Sequence, residues 1–176
     1  MLALVDDHDQ VVGQATRAQV IAQSLRHRGV KIFMVTPGGA LVFQRRHPAK
    51  NICGGLYDVT VGGGVQAGEA YAAAAVREAF EETGLQIAAT DLVPIDHQYI
   101  DFTDVKSGIH LRCFAQFYGL VYRGALEDLR IEAESGAGFA AFTLDALWAA
   151  DPGLFIPYLV DRPRMEGLYQ RLVGLV

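Results

Sequence analysis

Three carboxylates, Glu78, Glu81 and Glu82, fall in the last turn and a half of a predicted helix within "AYAAAAVREAFEETGLQI". At about 100° per residue, Glu78 and Glu82 share a stripe and Glu81 stands beside them, so all three face one small volume. Like charges at these spacings repel, and the C-terminal end of a helix already carries the negative pole of its dipole. A bound cation would offset that repulsion. A hard divalent ion such as Mg²⁺ takes oxygen ligands and keeps several waters, so two or three carboxylates plus a phosphate-bearing substrate satisfy it. Arg77, four residues before Glu81, adds a guanidinium that can fork between two acids. Taken alone, the stretch also reads as an ordinary solvated helix face.

Spacing separates the two readings. Gly63, five residues, Glu69, seven residues and then "REAFEETGL" follow the pattern G-x5-E-x7-R-E-U-x-E-E-x-G-U, where U is a bulky apolar residue. This resembles the Nudix box, the signature of the Nudix hydrolase superfamily. Gly63, Glu69, Arg77, Glu78, Glu81, Glu82 and Gly84 fill its polar and glycine positions, and Leu85 fills the last apolar one. Ala79 departs from it, being smaller than the usual aliphatic residue. The resemblance implies an αβα sandwich with a mixed sheet, in the α/β (α+β) class, and a loop-helix-loop over residues 63–85. In that segment Glu78, Glu81, Glu82 and the carbonyl of Gly63 hold Mg²⁺ or Mn²⁺. Arg77 counts with the three acids as catalytic, and Glu69 orients the loop.

The implied activity is metal-dependent hydrolysis of a diphosphate linkage in a nucleoside diphosphate derivative or related small molecule. The box leaves the general base open among Glu78, Glu81, Glu132 and Glu134, and the last two also read as solvated loop acids. "QRRHPAK" supplies Arg46 and Lys50 as candidate phosphate-binding residues, or else a solvated basic turn. A wider resemblance, over roughly the first half of the chain, is to the Nudix branch containing isopentenyl-diphosphate isomerase. His27, Arg46 and Lys50 match an isomerase metal-binding histidine and two diphosphate-binding residues. The isomerase's catalytic cysteine is replaced by Gly62, and two further metal-binding histidines by Val20 and Gly64, which favours a hydrolase. An isomerase-like enzyme and a non-catalytic ligand sensor remain the alternative functions.

The elements that must hold these groups follow from pattern. Helix propensity and Gly84 predict a helix over Ala70 to Glu82 with a glycine C-cap. "VKIFMVTPGGALVFQRR" predicts a hairpin, "HPAKNICGG" a loop and "LYDVTVGG" a strand leading into the glycines. Strands are expected at "VPIDHQYIDF" and "HLRCFAQFYGLVY", and helices after "FTLDAL" and "GLFIPYL". "GALEDLRIEAESGAGFAAF" reads as a loop entering a short strand. Residues 1–27 are expected as an N-terminal extension of a single domain, 1–176. It would hold two short strands around an acidic turn and a helix from Arg17 to His27, with His27 a helix-end histidine. Trp148 reads as helix packing.

Bulk properties restrict the partners. With 176 residues, 51% hydrophobic and 20% charged, the chain reads as soluble and globular rather than mainly disordered. A formal net charge of -5 gives no electrostatic reason to expect a nucleic-acid polymer. Cys53 and Cys113 have neither metal spacing nor a disulfide framework, and no apolar run approaches the roughly 20 residues of a membrane span. The acidic start lacks a signal-peptide pattern. The expectation is a cytoplasmic protein with a small diphosphate as partner and no membrane partner. Family habit alone adds a homodimer.

Overall fold

The structure is a computed structural model, and it describes residues 1–131 and 136–176. Its strands are β1 (Leu2–Val5), β2 (Val11–Ala15), β3 (His27–Val35), β4 (Leu41–Arg46), β5 (Tyr57–Val59), β6 (Val61–Gly64), β7 (Val93–Thr103), β8 (His110–Val121) and β9 (Gly136–Phe142). The α-helices are α1 (Arg17–Ala22), α2 (Tyr71–Thr83), α3 (Leu144–Ala149) and α4 (Arg162–Val173).

The strands form one mixed sheet in the α+β class. At its centre, β3 runs parallel to β8 from the His27–Cys113 pair to the Val35–Val121 pair, and antiparallel to β6. β7 extends the sheet antiparallel to β8, while β4 pairs with β5 and β9. Period-two alternation divides the core. Phe33, Val35 and Phe43 pack on one face with Leu147, Met165 and Tyr169 of α3 and α4. Val30, Ile32, Met34 and Val42 pack on the other face with Ala74, Ala75 and Ala79 of α2. Ala79 is fully buried, so its small size accompanies a close approach of α2 to the sheet. Trp148 packs against Tyr169 and lies under the Arg162 guanidinium, a structural role as expected.

The expected hairpin is present, with Met34 opposite Val42 and Gly39 at φ +76° in its turn. α2 lies within one residue of its expected limits. It ends at Gly84, whose φ of +74° is left-handed and whose N–H donates to the Phe80 carbonyl. Two expectations change. α1 stops at Ala22 because Ser24 turns left-handed (φ +49°), and His27 opens β3 instead of closing a helix. α3 begins inside "FTLDAL", at Leu144, because Thr143 caps it by accepting from the Ala146 N–H. Residues 1–5 are tied into the sheet: Leu4 pairs with His27, and the Ala3 N–H donates to the Val65 carbonyl.

Candidate active site

β6 and α2 bring the signature residues together. The glycines of β6 run beside β3, with Gly62 opposite Lys31 and Gly63 opposite Val30. A Cβ at Gly63 would overlap the Glu78 carboxylate, so the strand backbone lies directly against that acid. Arg77 binds both ends of the segment. Its Nε and Nη2 donate to the two oxygens of Glu69 at 2.9 and 3.0 Å, and Nη2 also donates to the Gly64 carbonyl at 3.0 Å. Its Nη1 is shared between Glu78 at 2.8 Å and Glu81 at 3.0 Å. Glu69 also accepts from the Gln66 N–H at 2.9 Å, which fixes the loop before α2. The Arg77 hydrogen bond holds the Glu69 carboxyl below its ordinary value.

The three acids differ in environment. Glu81 is half exposed, whereas the Glu78 side chain is 13% exposed. Burial raises the Glu78 carboxyl, against the opposing pull of Arg77. Glu82 accepts a hydrogen bond from the Gly62 N–H at 3.2 Å. Burial, reinforced by the nearby charges of Glu78 and Asp58, pushes Glu82 up to about 8.

Two cavities, each of about 130 Å³, meet at this point. The polar one is lined by Glu78, Glu81, Glu82, Gly62, Arg17, Gln44, Arg46 and Lys50. The other runs behind the glycine strand, with aliphatic walls including Val20, Ile21, Ile52 and Ile100, and it also reaches Lys31, Asp58 and Gly63. Arg17, Arg46 and Gly62 line both. The candidate metal acids, Arg46 and Lys50 therefore surround one space, and Gly63 faces the adjoining one. Glu132 and Glu134 lie outside the described residues.

Several residues that sequence reasoning passed over belong to this neighbourhood. Asp58, 5% exposed, bonds Arg46 at 2.9 Å and lies 3.6 Å from Lys31. Burial alone would raise the Asp58 carboxyl, but Lys31 and Arg46 outweigh that effect and hold it below its ordinary value. The available signal was a lone charge inside each apolar strand, in "VKIFMV" and "LYDVTV". Cys53, Cys113 and His27 also line the apolar cavity. Burial pushes both thiols up to about 12 and lowers His27, so all three are neutral near pH 7.

Among the described residues, no three His, Cys, Asp or Glu side chains are already gathered in ligand geometry. Arg77 engages Glu78 and Glu81, and Glu82 is turned to the Gly62 amide. The donor chemistry nevertheless fits a hard divalent cation: three carboxylates border one cavity, and the most buried environment penalises its ionised acid when no cation is present. No helix among the described residues is long and apolar enough to cross a membrane.

Comparison with known proteins points the same way. The NUDIX domain family profile matches residues 25–158. An uncharacterized Nudix hydrolase of Pseudomonas aeruginosa is 40% identical over 171 residues, covering 96% of this chain and 92% of that protein. An uncharacterized Nudix hydrolase of Streptomyces coelicolor is 46% identical over 84 residues, and that match spans 48% of this chain and 46% of the relative. Among solved structures, a Deinococcus radiodurans protein aligns with a TM-score of 0.62 at 29% identity, covering 84% of this chain and 86% of the other. A MutT protein from Methanosarcina mazei has the same fold, with a TM-score of 0.62 at 18% identity and coverage of 85% and 94%.

Proposed function

The chain belongs to the Nudix hydrolase superfamily, and from that premise we propose that it is a metal-dependent pyrophosphohydrolase. Its substrate is a nucleoside diphosphate derivative or a related small molecule with a diphosphate linkage. The observation that carries this reading is a single cavity lined both by the acids Glu78, Glu81 and Glu82 and by the bases Arg17, Arg46 and Lys50. Acids alone would repel a diphosphate, and bases alone would need no such acids.

Glu78, Glu81, Glu82 and the Gly63 backbone hold Mg²⁺ or Mn²⁺. When bound, the cation neutralises phosphate charge and makes a water molecule more acidic. Arg46 and Lys50 receive the phosphates, and the Asp58 contact keeps the Arg46 guanidinium at the junction of the two cavities. Arg77 fixes the spread of the acids. With Glu69 taking its Nε and Nη2, Nη1 is left to bridge Glu78 and Glu81 and to offset their mutual repulsion. Glu78, Glu81, Glu132 and Glu134 are the carboxylates available to accept the proton of the attacking water. The organic group attached to the diphosphate enters the aliphatic cavity behind the glycine strand. A small-molecule substrate and two free cysteines suit a cytoplasmic setting.

The test is product release from nucleoside triphosphates, dinucleotides, nucleotide sugars, coenzyme A and isoprenoid diphosphates, each with Mg²⁺ or Mn²⁺. Release from one class, abolished by chelation, is expected and names the organic group. Metal binding with no release from any class would replace the hydrolase with a ligand sensor. Solvent deuterium entering an allylic diphosphate, with no phosphate released, would replace it with an isomerase.

A further inference from the structure

Gln44 lies on β4, two residues before Arg46 and opposite Asp58 on β5 and Phe139 on β9. It is 5% exposed and borders the cavity that holds the three acids. Among the described residues, its Nε2 is the one buried side-chain nitrogen or oxygen with no hydrogen-bond partner. The other buried polar side chains are satisfied. Thr60 donates to the Val42 carbonyl and accepts from the Met34 N–H, Thr83 donates to the Ala79 carbonyl, and Asp58 and Asp104 accept from several donors. Among the described residues the fold pairs every other such group and leaves one amide nitrogen unpaired on a residue that lines a charged cavity, a donor to spare for something that enters it.

The chemistry of that amide restricts the ligand. A primary amide nitrogen only donates, so its partner must present a lone pair. A water held by a divalent cation spends one lone pair on the metal and turns its hydrogens outward, which makes it a poor acceptor. The box acids present lone pairs, but none of them lies within hydrogen-bond reach of the amide. Arg17, Arg46 and Lys50 line the same cavity, so an anion is the species the site would draw in.

We propose that Gln44 donates from Nε2 to a non-bridging phosphate oxygen of the bound diphosphate and acts as a substrate-positioning residue. The proposal rests on the reading of this cavity as a diphosphate site. A neutral donor fixes the orientation of the phosphate without adding charge, a task the flexible cations around it perform poorly.

The test uses methylenediphosphonate, which cannot be hydrolysed, with Mg²⁺ and the full chain. Calorimetry compares the wild type with Gln44→Met, which keeps the length and removes the donor, and with Gln44→Glu, which puts an acceptor in its place. Gln44→Met should weaken binding about 10- to 100-fold, the range for a lost hydrogen bond to a charged group. Gln44→Glu should weaken it further. The ligand-free melting temperature of Gln44→Met should equal or exceed that of the wild type, because no buried amide is left unpaired, whereas a purely structural glutamine would lower it. Independently of any variant, the Gln44 side-chain amide resonance of the wild type should shift downfield when the probe is added.

Wild-type affinity in Gln44→Met, or an amide resonance that does not move, would overturn the proposal and leave the amide as a partner of water only. If the wild type binds the probe but cleaves no diphosphate, the hydrolase reading fails and the affinities still decide the role of Gln44. If the wild type binds no probe, both fall.

Discussion

Replacing Glu82 with Gln should stabilise the metal-free protein at alkaline pH and leave it nearly unchanged at pH 5. The folded state moves this carboxyl from an ordinary 4.5 up to about 8, chiefly through burial. A folded value raised above the unfolded one makes the protonated acid the favoured form. The associated stability is complete below about pH 4.5 and is lost as the pH rises toward 8. At about 1.36 kcal/mol per pH unit the displacement sets an upper bound near 5 kcal/mol, and relaxation and water entry reduce it to about 2–3 kcal/mol. Glutamine keeps an acceptor for the Gly62 N–H, so the substitution removes the charge with little loss of bonding. For a chain of this size that is a melting-temperature gain of roughly 5–10 °C at pH 8.5. Thermal melts in a chelator from pH 5 to 9 measure it. With Mg²⁺ at about 100 times its dissociation constant the gap should narrow or close, because binding adds about 2.7 kcal/mol to the wild type and less to the variant. A difference between the two proteins that is flat with pH, or a wild type more stable at pH 8.5 without metal, would refute the reasoning.

Other substitutions probe separate parts of the account. Gly63→Ala puts a methyl group into the Glu78 carboxylate, so Mg²⁺ affinity measured by calorimetry should fall about tenfold or more while the far-ultraviolet circular dichroism is kept. Asp58→Asn leaves Lys31 and Arg46 without their shared buried anion and should cost about 3 kcal/mol in urea denaturation at pH 7. Because the Asp58 carboxyl is held below its ordinary value, its contribution is present at neutral pH and lost on acidification, and the cost of the substitution should shrink toward pH 3. Ala79→Leu restores the bulk usual in the signature but overfills a fully buried contact between α2 and the sheet. It should destabilise by about 1–3 kcal/mol in the same assay.

The site was most legible where its residues are local in sequence. The acids of α2, Arg77 and the glycines occupy fixed spacings, and helix geometry converts spacing directly into a shared face, so Ala70 to Glu82 was placed to within a residue. Legibility declined where position depends on strand pairing. The stretch "SLRHRGV" carries weak helical and weak strand signals, and the parallel ladder of β3 with β8, distant in sequence, draws His27 into the sheet. The same ladder and the pairing of β4 with β5 bring Lys31 and Asp58 beside Arg46. Arg46 read as a phosphate-binding candidate or a solvated basic turn residue, and the buried anion holding it was not apparent. Gln44 gave no sequence signal. A glutamine in "LVFQRR" is unremarkable until burial and the absence of a described partner for its amide are seen together.

The central claim is that the carboxylate cavity directs water onto a phosphorus atom of a diphosphate with the help of a divalent cation. Turnover of the cleaved substrate in ¹⁸O-enriched water, followed by ³¹P NMR, tests it most directly. The account predicts one solvent oxygen in a phosphate product, with the signal abolished by chelation and reduced more than a hundredfold in Glu82→Gln. Undiminished turnover in Glu82→Gln, or product phosphates free of solvent oxygen, would contradict it.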